Sequence, residues 1–168
     1  GLSWTRTLDP GASPGSPGAG AARMLAVTVR NGVIVAAGDA PGPVDNDDSN
    51  PQAAFWRSLD GRSWQRVPDR SDFIIGIEPL ADSWITGLFD LAAGGPGFVA
   101  VGATRSGGAT VWTSTDGWDW RLTATLGSAV AEFVSPGGPG MVILGQTGGP
   151  QTASRAWTSP DGLTWSAV

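Results

Sequence analysis

Val111-Trp112-Thr113-Ser114-Thr115-Asp116-Gly117-Trp118-Asp119-Trp120 reads as a strand, a tight turn and the start of a second strand. Its pattern (apolar, Trp, x, Ser, x, Asp, Gly, x, x, Trp) recurs as Phe55-Trp56-Arg57-Ser58-Leu59-Asp60-Gly61-Arg62-Ser63-Trp64. It returns as Ala156-Trp157-Thr158-Ser159-Pro160-Asp161-Gly162-Leu163-Thr164-Trp165. The dipeptide Asp-Gly is turn chemistry, because the carboxylate accepts nearby backbone N–H groups and Gly supplies a positive φ without steric cost. Side chains alternate along a strand, so the Ser two residues before each Asp faces the same way and can tie the same turn. The first Trp of each copy then lies on one strand and the second on its partner, as packing between strands or sheets.

Working outward, an apolar two-strand unit precedes each copy. Met24 to Val29 and Val33 to Gly38 flank Arg30-Asn31-Gly32. Leu88 to Ala93 and Phe98 to Gly102 flank Gly94-Gly95-Pro96-Gly97. Val130 to Ser135 and Met141 to Gly145 flank Pro136-Gly137-Gly138-Pro139-Gly140. Four short strands fit in the 45-residue interval from Trp120 to Trp165, the dimension of one propeller blade. The expected fold is all-β: a β-propeller or part of one, three four-stranded blades plus one extra outer strand. The blades are expected at 23–67, at 68–125 with an insertion over 68–86, and at 126–168; residues 1–22 hold the outer strand of a preceding blade and a Pro/Gly linker.

The repeated turns resemble the Asp-box (BNR) repeats of sialidase-like and sortilin-like β-propellers. Ser58, Asp60, Gly61 and Trp64, then Ser114, Asp116, Gly117 and Trp120, then Ser159, Asp161, Gly162 and Trp165 carry the likeness. The form here is one residue shorter, with Asp and Gly adjacent, and only the third copy keeps a Thr before its Trp (Thr164). The resemblance implies a box that caps the hairpin between the outer strands of a blade, away from any catalytic face. It also implies residence outside the cell, secreted or at the cell surface. Sialidases of this kind use a Tyr nucleophile paired with Glu, an Asp acid/base and three Arg residues. The present chain contains no Tyr, and Arg57, Arg62, Arg66 and Arg121 fall in outer hairpins, so that mechanism is not completed here.

Composition narrows the chemistry further. The 168 residues include 26 Gly, 13 Pro and nine Trp, which places the glycines at turns of a folded chain. Cys and His are absent, which removes Cys/His zinc sites and Ser-His-Asp or Cys-His nucleophile arrangements. All ten basic residues are Arg, so there is no Lys for a Schiff base, and this usage suggests a GC-rich bacterial source. A net charge of −5 without a basic stripe argues against nucleic acid and anionic membrane as partners. No apolar run reaches the roughly 18 residues of a spanning helix, so membrane insertion is not expected.

Few residues remain as site candidates. Asp90 and Glu132 lie on first strands, which line the channel of a propeller, and two carboxylates could serve glycoside hydrolysis. Aligning Gly97 with Gly140 pairs Asp90 with Phe133, so the two are not equivalent, and polar residues beside a wet channel are the plainer reading. Asp45, Asp47 and Ser49 alternate as calcium ligands do, making calcium the one cofactor with a place in the sequence. That loop lacks the Gly and the Glu of a calcium loop, so a solvated insertion between Pro43 and Pro51 is the plainer reading and no cofactor is expected. Trp84 and Trp118 stand outside the repeat positions and are candidates for a ligand or partner surface.

The expected role is a non-catalytic binding module or scaffold for protein or glycan. The alternatives are a sialidase-like glycoside hydrolase whose site another chain or missing blades complete, and a self-assembling subunit forming a ring or filament. Because the chain opens on Gly1-Leu2-Ser3-Trp4, matching Gly162 to Trp165, further upstream sequence is expected. Three blades fall short of the usual four to eight, so either missing blades or self-association is expected to close the ring.

Overall fold

The computed structural model describes residues 22–41, 51–70, 73, 87–103, 108–147 and 152–168, and every described element is a β-strand. Among these residues no helix is long and apolar enough to cross a membrane. The expected strand over Gly1 to Leu8, the linker behind it and most of the insertion over 68–86 lie outside the described residues.

The first sheet runs β1 (Arg23–Arg30), β2 (Val33–Pro41), β3 (Pro51–Ser58) and β4 (Trp64–Arg66), each pair antiparallel. Its first turn is Asn31-Gly32, with φ of 51° and 79°. Positive φ at both positions matches the right-handed twist of the flanking strands, which is why Asn-Gly stands there. A second, seven-stranded antiparallel sheet holds β5 (Gly87–Gly94), β6 (Gly97–Ala103), β7 (Gly108–Ser114), β8 (Trp120–Gly137), β9 (Gly140–Thr147), β10 (Ser154–Ser159) and β11 (Ser166–Ala167). Strand β8 is the surprise. The sequence suggests two strands, ending one unit and beginning the next, yet 18 residues run on without a break. Its first half pairs with β7 up to Ser128 and its second half with β9 from Ala129. Strand pairing therefore yields three four-stranded meanders, β1 to β4, β5 to early β8, and late β8 to β11.

These units stack face to face. Val35, Ala37, Ala53 and Phe55 of the first share a core with Leu91, Phe98, Trp112 and Trp120 of the second. The Phe55 and Trp120 rings lie parallel, 3.9 Å apart. Between the second and third units, Val99, Val101 and Val111 meet Val134, Ile143 and Trp157. The first Trp of each repeat is buried in all three units. First strands also neighbour one another, β1 beside β5 and β5 beside β8.

Each first strand carries a bulge at the same place, at Leu25, Phe89 and Glu132, opposite Gly38, Gly102 and Gly145. A Cβ on those glycines would sit 1.8, 2.0 and 1.9 Å from the carbonyl oxygens of Arg23, Gly87 and Val130. The requirement is for close backbone approach, which only Gly meets.

Candidate functional site

Among the described residues, polar chemistry collects at three corners and along the row of first strands. In each corner the Ser hydroxyl donates to Asp Oδ1 and accepts the Gly N–H. The Ser–Asp distances are 3.2, 3.1 and 3.0 Å for Ser58, Ser114 and Ser159. The Gly N–H distances are 2.9, 2.9 and 2.8 Å. Oδ1 of Asp60, Asp116 and Asp161 accepts two further N–H groups from the residues after Gly, at 2.7 to 2.9 Å. The glycines take φ of 71°, 79° and 77°. Within these corners every expected turn residue does the same job three times.

These bonds favour the charged carboxylate. The N–H groups of Ser63 and then Arg62 hold the Asp60 carboxyl down at about 2. Thr164 and Leu163 lower Asp161 in the same way. At Asp116, burial is the largest single influence and pushes upward, but the N–H groups of Asp119 and Trp118 and the Ser114 hydroxyl outweigh it. A lowered folded-state pKa adds stability above the ordinary carboxylate range, and that stability is lost as pH falls through the folded value. Thermal stability is therefore expected to fall between pH 4 and about 2 as Asp60 protonates. Asp60→Asn should flatten that part of a melting-temperature profile, and an unchanged profile would remove the corner from the acid response.

The corners also fasten one unit to the next. Gly117 sits so close to β2 that a Cβ there would lie 2.5 Å from Val35 Cγ2. Gly162 sits on β6 in the same manner, with Pro96, Gly95 and Val99 within 3.4 Å of that position. Val35 and Val99 occupy the same place in their strands. Arg57 adds a hydrogen bond from its Nε to the Asp116 carbonyl (3.2 Å), and Arg30 reaches the Gly97 carbonyl (2.9 Å).

No protein-family model and no curated protein matches this chain. Among solved structures, a glycosyl hydrolase from Bacteroides ovatus aligns over 88% of this chain and 48% of its own, at 16% identity and a TM-score of 0.48. A structure described with the GH130 family of mannoside phosphorylases, containing glycoside hydrolases that target β-1,2 mannosidic linkages in Candida mannan, aligns over the same shares at 15% identity and 0.48. A GH32 β-fructofuranosidase of Bombyx mori aligns over 84% of this chain and 35% of its own, at 12% identity and 0.44. The chain thus spans about half the length of the first two.

The two candidate carboxylates are on neighbouring strands, and both are engaged. Asp90 Oδ2 accepts the Val134 N–H at 2.9 Å, tying β5 to β8. Glu132 is the bulged residue of β8 and accepts Gln146 Nε2 at 2.6 Å. The register places Asp90 opposite Val101 and Phe133 opposite Leu144, which bears out their equivalence and leaves Glu132 one place away. Trp118 is half-buried and packs against the first core. Trp84 and the Asp45, Asp47 and Ser49 loop lie outside the described residues. Among those described, no three His, Cys, Asp or Glu side chains gather as a metal site.

One polar pair escaped the sequence reading. Arg23 Nε and Nη2 reach Oδ1 and Oδ2 of Asp39, a two-point ion pair at 2.9 and 2.6 Å, with Asp39 buried. The turn alone did not give it: fixing Asn31-Gly32 puts position 24 opposite 39, and the bulge at Leu25 shifts the register by one to bring Arg23 there.

Proposed function

We propose that this chain is a non-catalytic binding module of β-propeller type, its three meanders serving as blades and its partners being protein or glycan at the cell surface or beyond it. The observation that carries the reading is the commitment of Asp90 and Glu132 to structural bonds. Each holds a neighbouring strand in place, and a carboxylate that is already an acceptor for the fold is poorly placed to exchange protons with a substrate. Rigid strands with an aromatic side chain at a corner suit recognition by stacking.

A second reading stays open because the same two carboxylates lie half-buried on adjacent strands: a glycoside hydrolase-like site completed by further blades or another chain. A glycan array together with aryl-glycoside hydrolysis separates the two. The binding module is expected to retain glycan or protein partners without releasing chromogen, and Trp118→Ala is expected to weaken glycan retention about tenfold, the loss of one stacking contact. Turnover that disappears in both Asp90→Ala and Glu132→Ala would replace the first reading with the second.

A further inference from the structure

We propose that Asn31 is a site of spontaneous covalent modification, deamidating through its neighbour Gly32, and that the serine of each Asp-Gly corner shields that corner from the parallel reaction. Four such pairs stand at hairpin turns: Asn31-Gly32, Asp60-Gly61, Asp116-Gly117 and Asp161-Gly162. Their glycines take alike φ values of 79°, 71°, 79° and 77°. The four share one chemistry. The glycine nitrogen attacks Cγ of the residue before it, and the new C–N bond closes a cyclic imide. From Asn31 the amide nitrogen leaves as ammonia, taking the proton that Gly32 gives up. From an Asp the leaving group is water. Water then opens the ring at either carbonyl, giving Asp or isoaspartate, whose backbone runs through the side chain. Glycine favours the attack because no side chain shields its nitrogen. The nitrogen must be free, and the side chain must turn onto it.

The corners deny both conditions. Gly61, Gly117 and Gly162 donate their N–H to the Ser hydroxyl at 2.9, 2.9 and 2.8 Å. Each Asp Oδ1 is held by the two N–H groups after the glycine, so the carboxylate must break those bonds to turn. The three carboxyls also lie below their ordinary value, and an ionised oxygen does not leave as water. Gly117 and Gly162 are buried against the neighbouring unit besides. At Asn31-Gly32 the frame is missing. Val29 stands where each corner has its Ser. Asn31 and Gly32 are both exposed, and a Cβ on Gly32 would meet nothing within 4 Å. The hairpin tip can therefore open without uncovering any core, which is the least costly kind of local opening. The product has a structural consequence. Arg30 and Val33 pair across the turn, and Arg30 reaches the Gly97 carbonyl of the second unit at 2.9 Å. Isoaspartate inserts a methylene into that two-residue turn, and either product places a new carboxylate next to Arg30. This inference is independent of what the module binds.

The test is peptide mass spectrometry on the chain kept in neutral buffer, on the same chain kept in urea, and on Ser114→Ala, each against a zero-time sample. Tryptic cleavage after arginine places Asn31, Asp60, Asp116 and Asp161 on four different peptides. Fragment ions locate the change on the first of these and separate it from Asn46 and Asn50, and electron-transfer fragmentation tells Asp from isoaspartate. In urea all four pairs are expected to react. In the folded chain Asn31 should convert to Asp and isoaspartate, while the three corners isomerise at least about tenfold more slowly than in urea, as local opening requires. Ser114→Ala should raise isoaspartate at Asp116 by about tenfold, the effect of its lost hydrogen bonds, with Asp60 and Asp161 unchanged. A thermal melt shows whether that variant folds; Ser58→Ala, read at Asp60, serves if it does not. Asn31 intact in the folded chain while it reacts in urea would overturn the modification site. Corners that isomerise as fast folded as in urea, or an Asp116 as durable without Ser114, would overturn the shielding.

Discussion

Trp112→Ala is expected to destabilise the protein by about 3–5 kcal/mol, the cost of emptying a large aromatic site in a packed core. Trp112 is 1% exposed on β7 and shares its core with Phe55 and Phe98, so its indole fills the space between the first and second units. Its Nε1 has no hydrogen-bond partner, so the loss is packing alone. Domains of this size hold about 5–15 kcal/mol in all, and the variant should therefore be largely unfolded well below the melting temperature of the parent. Urea titration followed by tryptophan fluorescence reads the difference. Val29→Ala, on an exposed position, is the control and should change stability by no more than about 0.5 kcal/mol. A loss below about 1 kcal/mol at Trp112 would mean that the two units are not stacked through it.

Gly102→Ala is the second large effect, for a different reason. The added methyl would lie 2.0 Å from the Gly87 carbonyl oxygen, and neither can rotate away, because the backbone fixes where a Cβ sits and the oxygen is itself backbone. The bulge at Phe89 would have to open, at a cost of about 3 kcal/mol or more. Gly127→Ala makes the comparison: φ there is +79° but nothing stands within 4 Å, so only the left-handed strain of about 1–2 kcal/mol applies. Comparable melting temperatures for the two variants would show that close approach at the bulge is unimportant.

Much of this architecture was legible in the residues. Ser, Asp and Gly at fixed spacing determine a corner locally, so Ser58-Asp60-Gly61 and its two copies could be read without tertiary information. The Asn31-Gly32 turn was legible for the same reason. Continuity of β8 was not, because Leu126-Gly127-Ser128 looks like a break, whereas pairing to β7 and then β9 carries the strand across it. The bulges were partly visible as a Gly at the end of every second strand. Their cause, a carbonyl across the hairpin, depends on register. Asp90 and Glu132 stood out as carboxylates on apolar strands, but only the structure shows the Val134 N–H and the Gln146 amide that occupy them. Trp118 was singled out for lying outside the repeat. Its N–H is held by Asp116 in the corner, and its ring packs partly on the core.

The central claim is that one packing operation relates each unit to the next, seating an Asp-Gly corner on the second strand of the unit before it. Methyl-resolved nuclear Overhauser spectroscopy tests it most directly. Cross-peaks are expected from the Gly117 α-protons to a Val35 methyl and from the Gly162 α-protons to a Val99 methyl, two contacts far apart in sequence and alike in geometry. Corner glycines that show cross-peaks only within their own hairpins would contradict it.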